Sequence, residues 1–291
     1  MNRYRVNQIM TGILNGVTLL VVLFIAAFIL YLLASGMTAI NWRFLTTSSE
    51  VGLGIRDQLF NSLYLLLLTQ LISLPIALGA AMALTLYVDK RSKFASFAQG
   101  LIQILSSLPS IIVGLFGFLI LVLKFNLGFS IISGALALTF FNLPILTQSI
   151  AVSLQGVPDE VMQSGLALGI SKWHTITKII LPEAMPGIWS GIVISAGRVF
   201  GEAATLIYTA GQSAPTLDYT NWNPLNPASP LNIFRPAETL AVHIWKVNTE
   251  SLGQDAATVS RGTIVILILV VLLFNLVARY FSTTMRKKVG R

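Results

Sequence analysis

The sequence contains no cysteine, and it carries few charges: 19 Lys and Arg and 11 Asp and Glu among 291 residues. The first absence excludes a disulfide framework and all cysteine-based metal or redox chemistry. The second excludes an ordinary water-facing surface, because charge makes up 10% of this chain against roughly a quarter of a soluble domain. Only two histidines are present, His174 and His243, and neither sits in a metal-ligand spacing. No G-x-x-x-x-G-K-[ST] stretch occurs, so the chain is not expected to hold ATP in that way. Nucleophile triads, paired carboxylates and metal clusters are also missing, which argues against an enzyme. What is abundant is apolar: 55% of the residues are hydrophobic and mean hydropathy is +0.78.

The apolar residues fall in long charge-free runs. Asn7 to Asn41 is uncharged and most apolar from Val17 to Leu33. Gln58 to Val88, Phe94 to Leu123 and Phe125 to Pro158 follow. A fifth run, Ala184 to Ala210, is broken only by Arg198 and Glu202, and Gly262 to Ala278 is the sixth. A helix needs about 20 apolar residues to cross a bilayer, and lipid forces backbone groups to pair within the segment. The expected fold is therefore all-α and polytopic, with six transmembrane helices. Pro75, Pro109 and Pro144 argue against strands and predict kinks at depth. The first run has a rival reading as a cleaved signal peptide, since Arg3 and Arg5 precede it and Ala34, Ser35 and Gly36 follow it. Its length favours a retained helix.

Lys and Arg set the expected orientation. With the N-terminus inside, the inner segments hold Arg3, Arg5, Lys90, Arg91, Lys93, Lys172, Lys178, Arg279, Arg286, Lys287, Lys288 and Arg291. The outer segments hold Arg43, Arg56, Lys124, Arg235, Lys246 and Arg261. Twelve against six places both termini in the cytoplasm. The acidic residues Glu50, Asp57, Asp218, Glu238, Glu250 and Asp255 then lie outside.

Val157 to Pro186 is the most informative loop. Pro158 suits the first position of a helix, with Asp159 and Glu160 at its positive end. Gly169 can end that helix in a left-handed conformation, and Ser171 can cap a second short helix that Pro182 limits. The first helix offers a small, mostly apolar face to a groove on a cytoplasmic partner. An ordinary connecting loop is the competing reading.

Arg198 and Glu202 are four residues apart, which places them on one face of the fifth predicted span. Charges at that depth face a bundle interior or a water-filled path. They form either a mutually neutralising pair that fixes packing, or a substrate-path site in which Arg198 offers a fork of donors to an oxyanion. Gly211 to Arg261 is rich in Pro and Asn and reads as an irregular outer excursion, with Pro236 to Val247 as a short amphipathic helix. That excursion suits a lid or docking site, or equally a decorated loop on lipid headgroups with Trp222 and Trp245 at the interface. Gly114 and Gly117, with Ser107 and Ser110, are candidates for a narrow, pliable segment beside a path.

The loop resembles the coupling loop of ABC-importer permeases, whose pattern is E-A-A, three residues, G, nine residues, I-x-L-P. Gly169, Ile179, Leu181 and Pro182 match it, while Gln163, Ser164 and Gly165 stand in place of Glu-Ala-Ala. Further motifs resemble the PstA-type permease of phosphate ABC importers: Ser107 to Phe118, Asn61 to Leu84, and Arg198, Gly201, Glu202, Ala204 and Leu206. Thr205 stands where that pattern carries proline. The resemblance covers about residues 57 to 281 and implies the type I permease fold. It divides the chain into an N-terminal helix and loop (1–56), a permease domain (57–281, with the coupling loop at 157–186 and the outer loop at 211–261) and a basic tail (282–291). It implies Arg198 and Glu202 on the substrate path, and ATPase coupling through Asp159, Glu160, Gln163, Ser164, Gly165, Gly169, Ile179, Leu181 and Pro182. It also implies a PstC-type permease partner, two PstB-type ATPases that bind ATP and magnesium, a PstS-type phosphate-binding protein, membrane lipid around the bundle, and no nucleic acid. No cofactor is expected on this chain. An importer for sulfate or molybdate, and a transporter needing no ATPase, are the alternatives.

Overall fold

The computed structural model describes residues 3–49, 53–89, 91–213, 215–250 and 254–288. Lys90, Glu50 and Arg291, which entered the charge pattern, lie outside the described residues, as do the side chains of Arg5, Asp255, Arg286, Lys287 and Lys288.

All regular structure among the described residues is helical. α1 (Arg3–Gly36) leads through a 3-10 turn, Met37–Ala39, to α2 (Trp42–Thr46). Asn41 caps α2, its Oδ1 accepting the Phe44 N–H at 2.8 Å. α3 (Arg56–Met82) continues through a π-helical turn, Ala83–Tyr87. α4 (Lys93–Ser107) is followed by α5 (Ser110–Gly117), which is extended by a π-helical stretch, Phe118–Lys124. Ser130 caps α6 (Ile131–Gln155). α7 (Asp159–Ala167) and α8 (Lys172–Thr175) form the loop described above, and Ile176–Ile180 winds as a π-helix from α8 into α9 (Leu181–Phe200). α10 (Ala204–Thr209), α11 (Leu240–Glu250) and α12 (Gln254–Lys288) complete the chain.

Five helical segments are long and apolar enough to cross a membrane, and the pair α4 and α5 with its extension makes a sixth. That pair is bent by 96°. The third run, read as one helix, is thus broken at Leu108 and Pro109. Proline lacks an N–H and forces the residue before it out of helical geometry, and Leu108 is extended at φ −65°, ψ 131°. Pro75 and Pro144 lie inside uninterrupted helices. Pro182 does not end the second short helix as expected. It sits in the first turn of α9, where its missing N–H costs little, and the π-helical turn before it carries the chain onward without a break.

α3, α6 and α9 form the centre of the bundle. One apolar core gathers Leu65, Ile131, Leu138, Phe200, Leu206 and Leu240, and a second gathers Ala77, Leu146, Ile150, Leu154, Ile176 and Ile188. Between the two cores lies a polar layer. Gln70 Nε2 donates to Ser195 Oγ at 3.0 Å, Ser195 Oγ donates to Asn142 Oδ1 at 2.8 Å, and Asn142 Nδ2 reaches Ser73 Oγ at 3.4 Å. Where water is absent such bonds fix helix register, each contributing about 0.6 kcal/mol. α1 stands apart. Its side chains are exposed along most of its length, and its C-terminal end meets α12, where Gly36 lies against Arg261 and Val265.

Candidate functional site

The fifth run also breaks. α9 ends at Phe200 and α10 begins at Ala204, so Gly201, Glu202 and Ala203 interrupt the span. Arg198 and Glu202 therefore do not share a helix face as the spacing predicted, because Glu202 lies beyond the end of α9. Among the described residues the two form no ion pair within 4.0 Å. The Glu202 carboxylate turns to α10 instead. Its Oε1 accepts the Thr205 N–H at 3.1 Å and lies 3.4 Å from the Thr205 hydroxyl. This satisfies a backbone donor that the start of the helix would leave open. The Arg198 guanidinium lies over the Phe141 ring of α6, 4.0 Å from its centroid. Arg198 and Glu202 are both half-buried.

The two breaks meet. The Thr205 hydroxyl donates to the Ser110 carbonyl at 3.1 Å, joining the first turn of α10 to the first turn of α5. Gly114 makes this approach possible, since a Cβ there would stand 2.9 Å from the Thr205 Cα and 3.0 Å from the Ala204 oxygen. Gly117 and Gly134 are similarly close to Thr209 and Ala210. The glycine-rich segment flagged in the sequence thus packs against the broken fifth span. Non-helical backbone at this depth is tolerated where it is covered by protein or lines a cavity, and discontinuous helices of this kind build solute sites in transporters.

A second polar cluster lies where residues 215–239 cover the start of α3. Arg235 is 4% exposed and donates to the Asn61 side chain at 2.8 Å and to the carbonyls of Pro230 and Pro236 at 2.9 and 3.2 Å. Burial pulls its guanidinium down to about 10. The Tyr219 hydroxyl donates to Asp57 Oδ1 at 2.8 Å, and burial, then that bond, push its phenol up. Glu238 Oε2 accepts from Gln58 at 3.0 Å, and its Oε1 lies 3.0 Å from His243 Nδ1 and 3.8 Å from Lys246 Nζ. His243, which has no partner in its sequence spacing, thus finds one five residues upstream. α11 starts at Leu240, later than the predicted Pro236: the Ala237 N–H donates to the Ala210 carbonyl, the Glu238 carbonyl accepts from Asn61 of α3, and the Thr239 hydroxyl accepts the Val242 N–H.

At the opposite end α7 and α8 cross through Gly165, where a Cβ would stand 2.7 Å from Thr175. Gly165 is buried, so its small size serves this internal crossing and not an open docking face. Asp159, Glu160, Gln163 and Ser164 are exposed, as are Leu166, Leu168 and Trp173. Gly169 takes φ +75°, the left-handed turn its position predicts. Pro158 precedes the helix as its cap and not as its first residue. The Ser171 Oγ accepts the His174 N–H at 3.3 Å, and His174 is exposed. Ile179 and Leu181 are half-buried and Pro182 is exposed. The polar layer of Gln70, Ser73, Asn142 and Ser195 was not singled out in the sequence. Its only signal there is the presence of amides in runs that are otherwise apolar.

Residues 73–291 match the family model described as the inner membrane component of binding-protein-dependent transport systems. The chain belongs to this family. A relative, the probable ABC transporter permease protein YqgI of Bacillus subtilis, is 42% identical over 292 residues, covering 99% of each chain. The phosphate transport system permease protein PstA 2 of Mycobacterium bovis is 27% identical over 251 residues, covering 85% of this chain and 78% of its own. Among solved structures, a bacterial ABC transporter involved in alginate import superposes with a TM-score of 0.66 at 15% identity, over 99% of this chain and 98% of its own. The fold is the type I ABC importer permease fold. A permease of this family works with an ATPase and a substrate-binding protein.

Proposed function

We propose that this permease is one half of an ATP-driven phosphate importer, and that Arg198 meets the anion on its way through. The observation that carries the reading is the Arg198 guanidinium, placed at an interrupted span over the Phe141 ring and in no ion pair within 4.0 Å among the described residues. An arginine fork matches a tetrahedral oxyanion, and it is held by a ring face that leaves its donors open. The PstA relatives and the motif from Arg198 to Leu206 favour phosphate among oxyanions.

The remaining assembly follows from the same reading. A PstC-type permease completes the pore. Two PstB-type ATPases carry ATP and magnesium, and a PstS-type protein delivers phosphate from outside. Lys and Arg orient both termini to the cytoplasm of a cell whose inner membrane holds the complex. The α7–α8 end then faces the ATPases. Asp159, Glu160, Gln163, Ser164 and the apolar Leu166 and Leu168 make the docking surface. Gly165, Gly169, Ile179, Leu181 and Pro182 fix its shape, and the pair of helices moves as a lever when the ATPases close.

The test is uptake of labelled phosphate by cells carrying the full complex, with sulfate and molybdate as competitors. Arg198→Gln is expected to abolish uptake while leaving assembly with the ATPase intact. Retained uptake in that variant rejects the role of Arg198, and stronger competition by sulfate or molybdate than by phosphate itself rejects the substrate.

A further inference from the structure

The end of the first span and the start of the last enclose a recess. It lies between the turn Met37–Ala39, α2 and the first turns of α12, holds about 470 Å³, and is lined in part by Thr38, Arg43, Phe44, Thr47, Thr258 and Val259. Phe44 and Val259 are buried and give it an apolar floor, while Thr38, Arg43 and Thr258 stand exposed around it. Its walls are fixed by the backbone. The Phe44 carbonyl accepts the Ile55 N–H at 2.9 Å, and the Thr47 carbonyl accepts the Arg56 N–H at 3.2 Å. Gly262 lets α12 close on the Phe44 ring, which a Cβ there would meet at 2.9 Å. Arg43 makes no side-chain hydrogen bond or ion pair among the described residues.

We propose that this recess holds the headgroup of an anionic phospholipid, clamped where α1 meets α12. Both helices are long and apolar enough to cross a membrane, so their adjoining ends stand at headgroup level. Trp42, beside Arg43 in the chain, is 79% exposed there, as an interfacial tryptophan is. A phosphodiester takes two parallel bonds from the arginine fork. Its glycerol ester oxygens accept from the threonine hydroxyls, and an acyl chain continues along exposed apolar side chains of α1 such as Phe28 and Tyr31. A free inorganic anion would leave the apolar floor uncovered, and an apolar helix of a second permease would bury the guanidinium unpaired. Arg261, one turn along α12 from Thr258, adds a second exposed cation, which favours net negative charge and repels the ammonium of a zwitterionic headgroup. The lipid thus reinforces a junction that otherwise closes through Gly36 against Arg261 and Val265. None of this depends on which solute the permease carries.

The experiment takes the complete purified complex, stripped of lipid in detergent, and titrates it with phosphatidylglycerol or phosphatidylcholine. Native mass spectrometry reads the first lipid bound per permease chain, and the thermal midpoint reads its effect. Phosphatidylglycerol is expected to bind about tenfold more tightly than phosphatidylcholine and to raise the midpoint, and Arg43→Gln is expected to weaken its binding about tenfold, as loss of a charge-assisted bond allows. Arg279→Gln, which removes a cation toward the other end of α12, is expected to leave that binding unchanged. Equal weakening in the two variants means adsorption to surface charge and overturns the site. Equal affinity of the wild type for both lipids overturns it too, as does binding of neither, the result if a partner chain fills the recess. Excess inorganic phosphate is expected not to displace the lipid, and displacement assigns the recess to a free anion instead. If Arg43→Gln fails to assemble, Thr258→Trp, which fills the recess from an exposed position, is expected to abolish phosphatidylglycerol binding, and unchanged affinity there overturns the proposal.

Discussion

At the scale of single residues, backbone conformation and burial decide which positions tolerate change. Gly169 has φ +75° and open space around its Cβ direction, so only the backbone demands glycine there. Gly79 also has open space, but in a helix at ordinary φ. Gly169→Ala should lower stability by about 1 kcal/mol and Gly79→Ala should raise it by a similar amount. Thermal midpoints of the purified complex check both signs. Tyr219 gives a pH signature. Its phenol is raised above the ordinary 10.0, so its contribution is fully present below that value and falls as pH rises past it. Thermal midpoints of wild type and Tyr219→Phe should therefore differ most at neutral pH and converge in alkali.

At the scale of elements, long apolar runs were legible because lipid demands them, and five of the six runs correspond to helices near their predicted places. The breaks were less legible. Pro109 turns the chain by 96° while Pro75 and Pro144 leave α3 and α6 uninterrupted, although all three share the same local chemistry. The difference is tertiary: only at Pro109 does a second interrupted span, entered through Gly114, cover the freed backbone. Arg198 and Glu202 were found from charge alone, but their relation was not. Spacing assumes a continuous helix, and Gly201 ends it. The Ser171 cap and the turn at Gly169 were legible because they are local, whereas the burial of Gly165 against Thr175 depends on how two helices cross. Gly114→Ala tests the meeting of the breaks. It should force Thr205 away from α5, lower the thermal midpoint, and cut phosphate uptake more than it cuts association with the ATPase, which co-purification measures.

At the scale of the whole molecule, the chain is an incomplete machine. Apolar side chains of α1 such as Leu14, Leu20, Phe24 and Tyr31 face outward, as do Phe94, Phe97 and Ile104 on α4, and lipid or a second permease accounts for them. The polar layer at the centre ties α3, α6 and α9 together, and α8 runs through its π-helical turn into α9, the helix that carries Arg198. The sequence has no G-x-x-x-x-G-K-[ST] stretch of its own. The most direct measurement is phosphate entry into liposomes that hold the permease pair, with and without the ATPase, binding protein and internal ATP. Uptake only when all of these are present is the predicted result, and phosphate accumulation by the permease chains alone would contradict the account.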